Sequence, residues 1–526
     1  MTADLILVGC RILTLDARLP RADAVAVTGE RISAVGTVPD VTALRGSRTE
    51  VLELVGRTLL PGFYDAHQHQ ADTGLLRGHV DARAPSIGEL AERVRLAARG
   101  RPSGAWIEGF GYEEGRLAER RPPTRWELDA AAPDHPAAIT RTCGHALVAN
   151  SSALAAAGID ARTPDPPGGR LERDAETGEP TGVLHERAME LIRRLVPRPS
   201  DADIEAAILV EAKENLRLGI TSVWEPWVEP RLVEIYRRLA REDRLPVRVT
   251  MAQAAVLPSG EPVPLPRPER TDRLSLAAVK LLQDGAIAPR TAALTAPYEG
   301  EPDNRGLLLW PQDELDRLVA EIHRRGLQVS IHAIGDAAIA SALASINSAL
   351  ATRPRPDHRH RIEHCGLPMG SLAARVASSG VVPVLQPPFV HFHGETYARN
   401  LGAARSLRLY PVRSLLKAGA VVAGSSDSPV VPDRNPLLGM RVAMTRTTVE
   451  GTQIAADEAV SLDDALRLYT VNAAFAARED DIKGSLSPGK LADLVVLDED
   501  ISTVAPGELD QVGVESTYLG GRRVDA

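Results

Sequence analysis

Leu59-Leu60-Pro61-Gly62-Phe63-Tyr64-Asp65-Ala66-His67-Gln68-His69 is the stretch on which the reading of this chain turns. It opens as a short apolar run, consistent with a buried strand, and ends in two histidines separated by one residue. Side chains alternate faces along a strand, so His67 and His69 point the same way. Two neutral imidazoles converging from a strand end suit a divalent metal such as zinc. The tripeptide alone carries little weight, because surface histidines fall at this spacing by chance. Its meaning depends on whether later strands bring further ligands.

Working outward, strand–helix alternation begins near residue 202. Apolar strands read at 219–224, 246–251, 276–282, 327–333, 359–364, 381–386 and 420–425, with helical runs such as 201–218, 230–241 and 312–325 between them. With the run at 59–65 these make eight. The pattern predicts an α/β chain built on a (β/α)8 TIM barrel, whose chemistry sits at the C-terminal ends of the strands. Both chain ends read as short strands broken by Gly, Asp and Pro. Residues 1–58 and 484–526 are therefore expected to form one small β-sandwich domain, with the barrel over 59–72 and 201–483. Residues 73–200 form a large insertion after barrel strand 1. An insertion there stands over the active-site face as a lid or substrate wall, or serves as an oligomerisation arm, which leaves a homodimer open.

Composition narrows the function classes. The 526 residues are 44% hydrophobic and 25% charged, ordinary values for a globular protein. A net charge of −9 supplies no basic surplus to neutralise phosphates, so no nucleic-acid partner is expected. No apolar stretch approaches the roughly 20 residues of a membrane span. The start of the chain lacks a signal-peptide pattern, and the cysteines Cys10, Cys143 and Cys365 form no disulfide framework. The expectation is a cytoplasmic protein acting on a small molecule.

Four later strand ends carry metal-type residues. Lys280 ends the fourth strand, His332 the fifth and His364 the sixth, while Ser426-Asp427-Ser428-Pro429 follows the eighth. Each alone has an ordinary structural explanation. Lys280 could pair with Asp284, and Asp427 could cap an Asx-type turn. All of them at strand ends of one barrel form a constellation that chance placement does not readily give.

The motifs resemble those of the metal-dependent amidohydrolase superfamily, in its YtcJ-like branch (amidohydrolase family 3), which includes N-substituted formamide deformylases. The resemblance rests on Pro61 to His69, Arg141-Thr142-Cys143-Gly144-His145, Gly178 to Leu184 and Asp284-Gly285-Ala286 with Arg290 to Leu294. It continues through His332-Ala333-Ile334-Gly335-Asp336, Arg361-Ile362-Glu363-His364, Ser426 to Pro429 and Gly484 to Asp493. It implies one or two divalent ions, expected as Zn2+, held by His67, His69, His332, His364 and Asp427. It also implies a carboxylated Lys280 bridging the ions, and Asp427 as both ligand and general base. The implied reaction is hydrolysis of a C–N bond in a small organic amide, with an N-formyl or N-acyl amine in front. A cyclic amide or urea hydrolase, a deaminase, an esterase on the same metals and a non-catalytic metal-binding barrel are the alternatives. No Glu follows the Ser330-Ile331-His332-Ala333-Ile334 strand, which counts against deamination.

Around this centre, His145 either bonds a substrate carbonyl or stabilises a turn. Trp224 either walls the pocket or packs beneath it. Arg290, Gln386 and His391 are the remaining candidates for substrate contact. His391 and His393 repeat the His-x-His spacing. His358 and His360 read as a solvated segment before a strand, and Glu363 as a residue that orients its loop.

Overall fold

The computed structural model describes residues 2–142, 144, 146–166, 168–257 and 260–524. His145 lies outside them. Two compact units emerge, one of residues 1–70 with 209–526 and one of residues 71–208.

In the first unit, eight parallel strands pair in chain order: Phe63–Asp65, Ile220–Val228, Arg248–Ala254, Leu274–Leu282, Gln328–Ala333, Arg361–His364, Val382–Leu385 and Ala423–Gly424. Their near-continuous apolar character, as in Leu274-Ser275-Leu276-Ala277-Ala278-Val279, follows from burial on both faces. The first and last strands meet through backbone bonds, Ala66 N–H to Gly424 O (3.3 Å) and Asp427 N–H to His67 O (2.7 Å), so the barrel closes. Helices between the strands present one apolar stripe to it, as Val233, Tyr236 and Leu239 do from Pro230–Arg241.

The stretch read as one strand over 59–65 is two. Thr58–Pro61 pairs with strands from both chain ends, Leu5–Leu13 and Leu494–Leu497, and only Phe63–Asp65 enters the barrel. Gly62 is the break, since a Cβ there would stand 2.3 Å from Thr221 Oγ1 and no larger residue fits. The terminal strands form one continuous eight-stranded sheet. Leu7, Val25 and Leu59 share its core with Leu494, Val496 and Tyr518 from the far end of the chain. Arg248, at the start of a barrel strand, is buried against Asp493 (2.6 and 2.8 Å) and ties sheet to barrel.

The second unit carries a six-stranded sheet of Val80–Asp81, Ile107–Tyr112, Ala137–Arg141, Ala146–Ala149, Gly169–Arg173 and Pro180–Glu186. Its core gathers Leu90 and Val94 of the helix Ile87–Ala98 with Ile107, Ile139 and Val148. No helix among the described residues is long and apolar enough to cross a membrane.

His358 and His360 are not solvated. With His323 they form a buried chain at the N-terminal side of the barrel. Val329 N–H donates to His360 Nδ1, His360 Nε2–H to His323 Nδ1, and His323 Nε2–H to Arg353 O, at 2.9, 2.9 and 2.7 Å. His358 takes His360 N–H at Nδ1 and donates from Nε2 to Ser379 O, both at 2.9 Å. Every ring accepts at one nitrogen and donates at the other, as only neutral imidazole can. Burial, then the charges of His358 and Arg355, brings His360 down to about 2, and burial lowers His323 and His358 as well. Arg353, Arg355 and Arg478 face the cluster, and Asp357 partly offsets them. In the unfolded chain these rings titrate near pH ~6.5, so below that pH the unfolded state binds more protons. Stability is therefore full above pH ~6.5 and falls as the pH drops further, by up to about 1.4 kcal/mol per pH unit for a fully buried ring. Urea unfolding at about pH 7.5 and 5.5 measures the loss, and His360→Gln flattens it. Equal wild-type stability at the two pH values removes the network from this role.

Candidate metal centre

The C-terminal strand ends bring His67, His69, His332, His364, Lys280 and Asp427 to one place. One ligand atom from each of His67, His69 and Asp427 lies within 4.8 Å of the others. Asp427 Oδ1 is 3.3 Å from His67 Nε2 and 3.4 Å from His69 Nε2, and Oδ2 is 4.0 Å from His364 Nδ1. The His364 ring lies 5.0 Å from that of His67 and 4.3 Å from that of His332.

Around these residues, fixed acceptors set which imidazole nitrogen stays available. His67 Nδ1–H donates to Glu363 Oε2 (2.6 Å), leaving Nε2 toward Asp427. His364 Nδ1–H donates to Gln386 Oε1 (2.8 Å), and His332 Nε2–H to Gly285 O (3.0 Å). Each ring thus keeps its other nitrogen for coordination, an arrangement typical of metal-binding histidines. Burial keeps them neutral: His67 and His332 are held down to about 4, and His364 well below its ordinary value. Burial alone would raise Asp427, yet the imidazoles of His67, His69 and His364 hold it well below the usual carboxylate range. The centre offers unprotonated nitrogens and an ionised carboxylate, and this donor set fits a divalent cation of the zinc type.

Lys280 is 2% exposed, and burial brings its pKa down to about 8. Its charge bears on His67, His332 and His364. Asp284 does not take up its ammonium as an ion pair. That carboxylate accepts the backbone N–H groups of Ala293, Ile334 and Gly335 at 2.8–3.0 Å and so joins the loops after the fourth and fifth strands.

Glu363 has a larger part than its sequence context suggested. Besides His67 it accepts from Ser330 Oγ (2.7 Å) and from Arg361 Nε and Nη2 (2.7 and 3.0 Å). Adjacent strand residues ordinarily face opposite ways, yet Glu363 and His364 both reach the centre. His364 has φ +69°, a left-handed backbone that turns its ring inward. Asp427, at φ +59°, is placed in the same way. Such conformations cost a non-glycine residue about 1–2 kcal/mol and concentrate at functional sites. The alternation of Arg361 and Glu363 was the available signal, but the left-handed turn has none in the sequence.

The expected substrate contacts are distributed differently. Gln386 is fully buried, bonded to His364 and to Ser425 Oγ (3.0 Å), so it positions the His364 ring rather than facing an open pocket. Trp224 packs inside the barrel with Tyr64, Ala252, Ala278 and Val384, under the Arg361 guanidinium at 3.6 Å. Arg290 is tied to Glu301 and to Asn400 Oδ1 (3.1 Å). His391 and His393 lie on the helix Pro387–Leu401, where residues two apart do not share a face. His391 bonds Thr447 O (2.9 Å), and neither histidine belongs to a metal-type group among the described residues. Phe389 of the same helix stacks on His364 at 6.1 Å, an aromatic contact that sequence reading did not single out.

The chain is similar to known proteins over almost its whole length. The model of the amidohydrolase family matches residues 50–525. The chain is 33% identical to the N-substituted formamide deformylase of Arthrobacter pascens, over 98% of this chain and 97% of that protein. It is 30% identical to the putative amidohydrolase YtcJ of Bacillus subtilis (strain 168), over 96% of each. An uncharacterized metal-dependent hydrolase from Pyrococcus horikoshii superposes with a TM-score of 0.78 at 28% identity, over 96% of this chain and 99% of that one. Imidazole and carboxylate donors gather at a barrel mouth, and the match runs nearly end to end: the chain belongs to the amidohydrolase family.

Proposed function

We propose that the protein hydrolyses a C–N bond of a small organic amide, with N-formyl or N-acyl amines as substrates. The observation that carries this reading is Asp427, ionised and set between the Nε2 atoms of His67 and His69 at 3.3 and 3.4 Å. His67, His69, His332, His364 and Asp427 would hold one or two Zn2+ ions. A divalent cation held by these residues would supply a bound water of pKa lowered toward about 7 and a Lewis acid for the substrate carbonyl.

The chain's own residues then move the protons. Asp427 accepts a proton from the attacking water and returns it to the departing amine nitrogen, which leaves poorly as an anion. Glu363, Gln386 and Gly285 O hold the imidazoles in register throughout. Lys280 is the candidate for carboxylation. With its pKa brought down by burial to about 8 it holds more of the neutral amine that CO2 requires than an ordinary lysine does, and a carbamate would exchange a buried cation for an anionic ligand. The deformylase relative supports the N-formyl choice. Deamination is the weaker reading, since the residues after His332 offer no glutamate as a proton shuttle.

Chelation is expected to abolish amine release from N-formyl amines, and Zn2+ to restore it. Formyl and acetyl analogues differ by one methyl group, worth about 10–200-fold in kcat/KM. A panel of both, assayed with and without chelator, tests the proposal. Amine release that survives complete metal removal would refute it.

A further inference from the structure

His67-Gln68-His69-Gln70 alternates imidazoles with side-chain amides. The imidazoles reach the metal centre, while the two amides have no part in the proposed chemistry. Both Gln68 and Gln70 are nonetheless fully buried, where an amide is costly unless its hydrogen bonds are made.

Asn215, on the helix Asp201–Arg217, makes them. Its Nδ2 donates to Gln68 Oε1 and Gln70 Oε1 at 2.9 and 3.1 Å. Its Oδ1 accepts from Gln68 Nε2 and from Arg434 Nε, both at 3.0 Å. Two donors and two acceptor positions are all that an asparagine amide offers, so each is used. One helical turn earlier, Glu211 Oε1 stands 2.6 Å from the same Arg434 Nε and 3.4 Å from Gln68 Nε2. Glu211 and Asn215 are fully buried and Arg434 nearly so. A buried polar network satisfied in this way is rigid.

The network joins two pieces of chain that carry metal donors. Gln68 and Gln70 bracket His69 past the first barrel strand, and Arg434 lies beyond Asp427 on the connection after the eighth. His69 Nε2 is 3.4 Å from Asp427 Oδ1, and His69 N–H donates to Ser428 O at 2.9 Å. The His69 side chain is 25% exposed, against 1–17% for His67, His332 and His364. Packing around its ring restrains it least, so its placement depends most on the backbone to either side.

We propose that Asn215 and Arg434 are positioning residues for the metal: they clamp the backbone around His69 to the connection carrying Asp427 and so set the spacing of two donors. The inference rests on the proposed metal centre but not on which bond is cleaved.

Metal affinity and stability, measured separately, test it. Glu211→Met/Arg434→Met removes the ion pair without changing net charge, and apolar replacement of a buried pair is often neutral or stabilising. The metal-free double variant is therefore expected to unfold at the parental denaturant midpoint. Competitive titration is expected to show zinc bound at least about tenfold more weakly, the usual loss when a partner behind a ligand is removed. The visible spectrum of the Co2+-loaded variant, which reads donor geometry, should shift with it. Asn215→Leu should weaken zinc binding likewise, and Arg434→Lys less, because it keeps a charge opposite Glu211. Parental zinc affinity and cobalt spectrum in both Glu211→Met/Arg434→Met and Asn215→Leu overturn the inference and leave the metal centre standing. If the double variant does not fold, parental values in Asn215→Leu overturn it alone. A parent protein that binds no zinc removes the metal centre, and the inference with it.

Discussion

Asp427→Asn is expected to lower kcat by about 10³-fold while the metal stays bound, because general acid–base groups contribute typically 10²–10⁴-fold. Asparagine keeps the shape and one oxygen donor but cannot take a proton from water and hand it to an amine. The backbone permits the exchange, since asparagine adopts the φ of +59° more readily than most residues. Metal content by elemental analysis separates loss of the base from loss of the ion. Near-normal turnover in a variant that retains its metal would remove Asp427 from the proton-transfer role.

The second large effect is expected at Glu363, which touches no substrate. Its carboxylate is the counterion of Arg361, and both side chains are 0% exposed. Glu363→Gln leaves a buried guanidinium without compensation, a change that typically costs about 3–5 kcal/mol. It also replaces the acceptor that fixes His67 Nδ1, and loss of such a partner costs about 10–100-fold in metal affinity. Denaturant unfolding of the metal-free protein reads the first effect, and competitive zinc titration reads the second. A variant as stable as the parent, with unchanged zinc affinity, would contradict both.

The two variants separate the layers of the site. Asp427 acts on the reacting atoms, so its loss should appear in kcat at full metal occupancy. Glu363 acts through His67, so its loss should appear in metal affinity and stability, with turnover partly recovered at high zinc.

Much of this was legible in the sequence because it depends on local periodicity. Eight apolar runs separated by helical patterns pointed to the barrel, and each candidate donor lies at or just past the C-terminal end of a strand, His67 and His69 sharing the first, so pairing motif with strand end grouped them. His67, His69, His332, His364, Lys280 and Asp427 needed no tertiary information to be grouped. Where the sequence misled, the deciding interaction was distant. Gly62 breaks the first run because Thr221, far along the chain, occupies the space a Cβ would need. His358 and His360 look solvated beside Arg353, Arg355 and Arg359, yet His323 and two backbone carbonyls satisfy and bury them. Gln386 and Trp224 sit at suitable strand positions for substrate contact, but their side chains are committed to His364 and to the barrel interior.

By itself the sequence determined the strand–helix alternation, the β-rich ends and the identity of the donor residues, since hydrophobic period and side-chain chemistry are properties of the chain. Only the tertiary structure decided which nitrogen of His67, His332 and His364 is held by a fixed acceptor, and that Glu363 and His364 both reach the centre. Those outcomes depend on left-handed backbone turns and on partners hundreds of residues apart, and neither leaves a periodic trace in the order of residues.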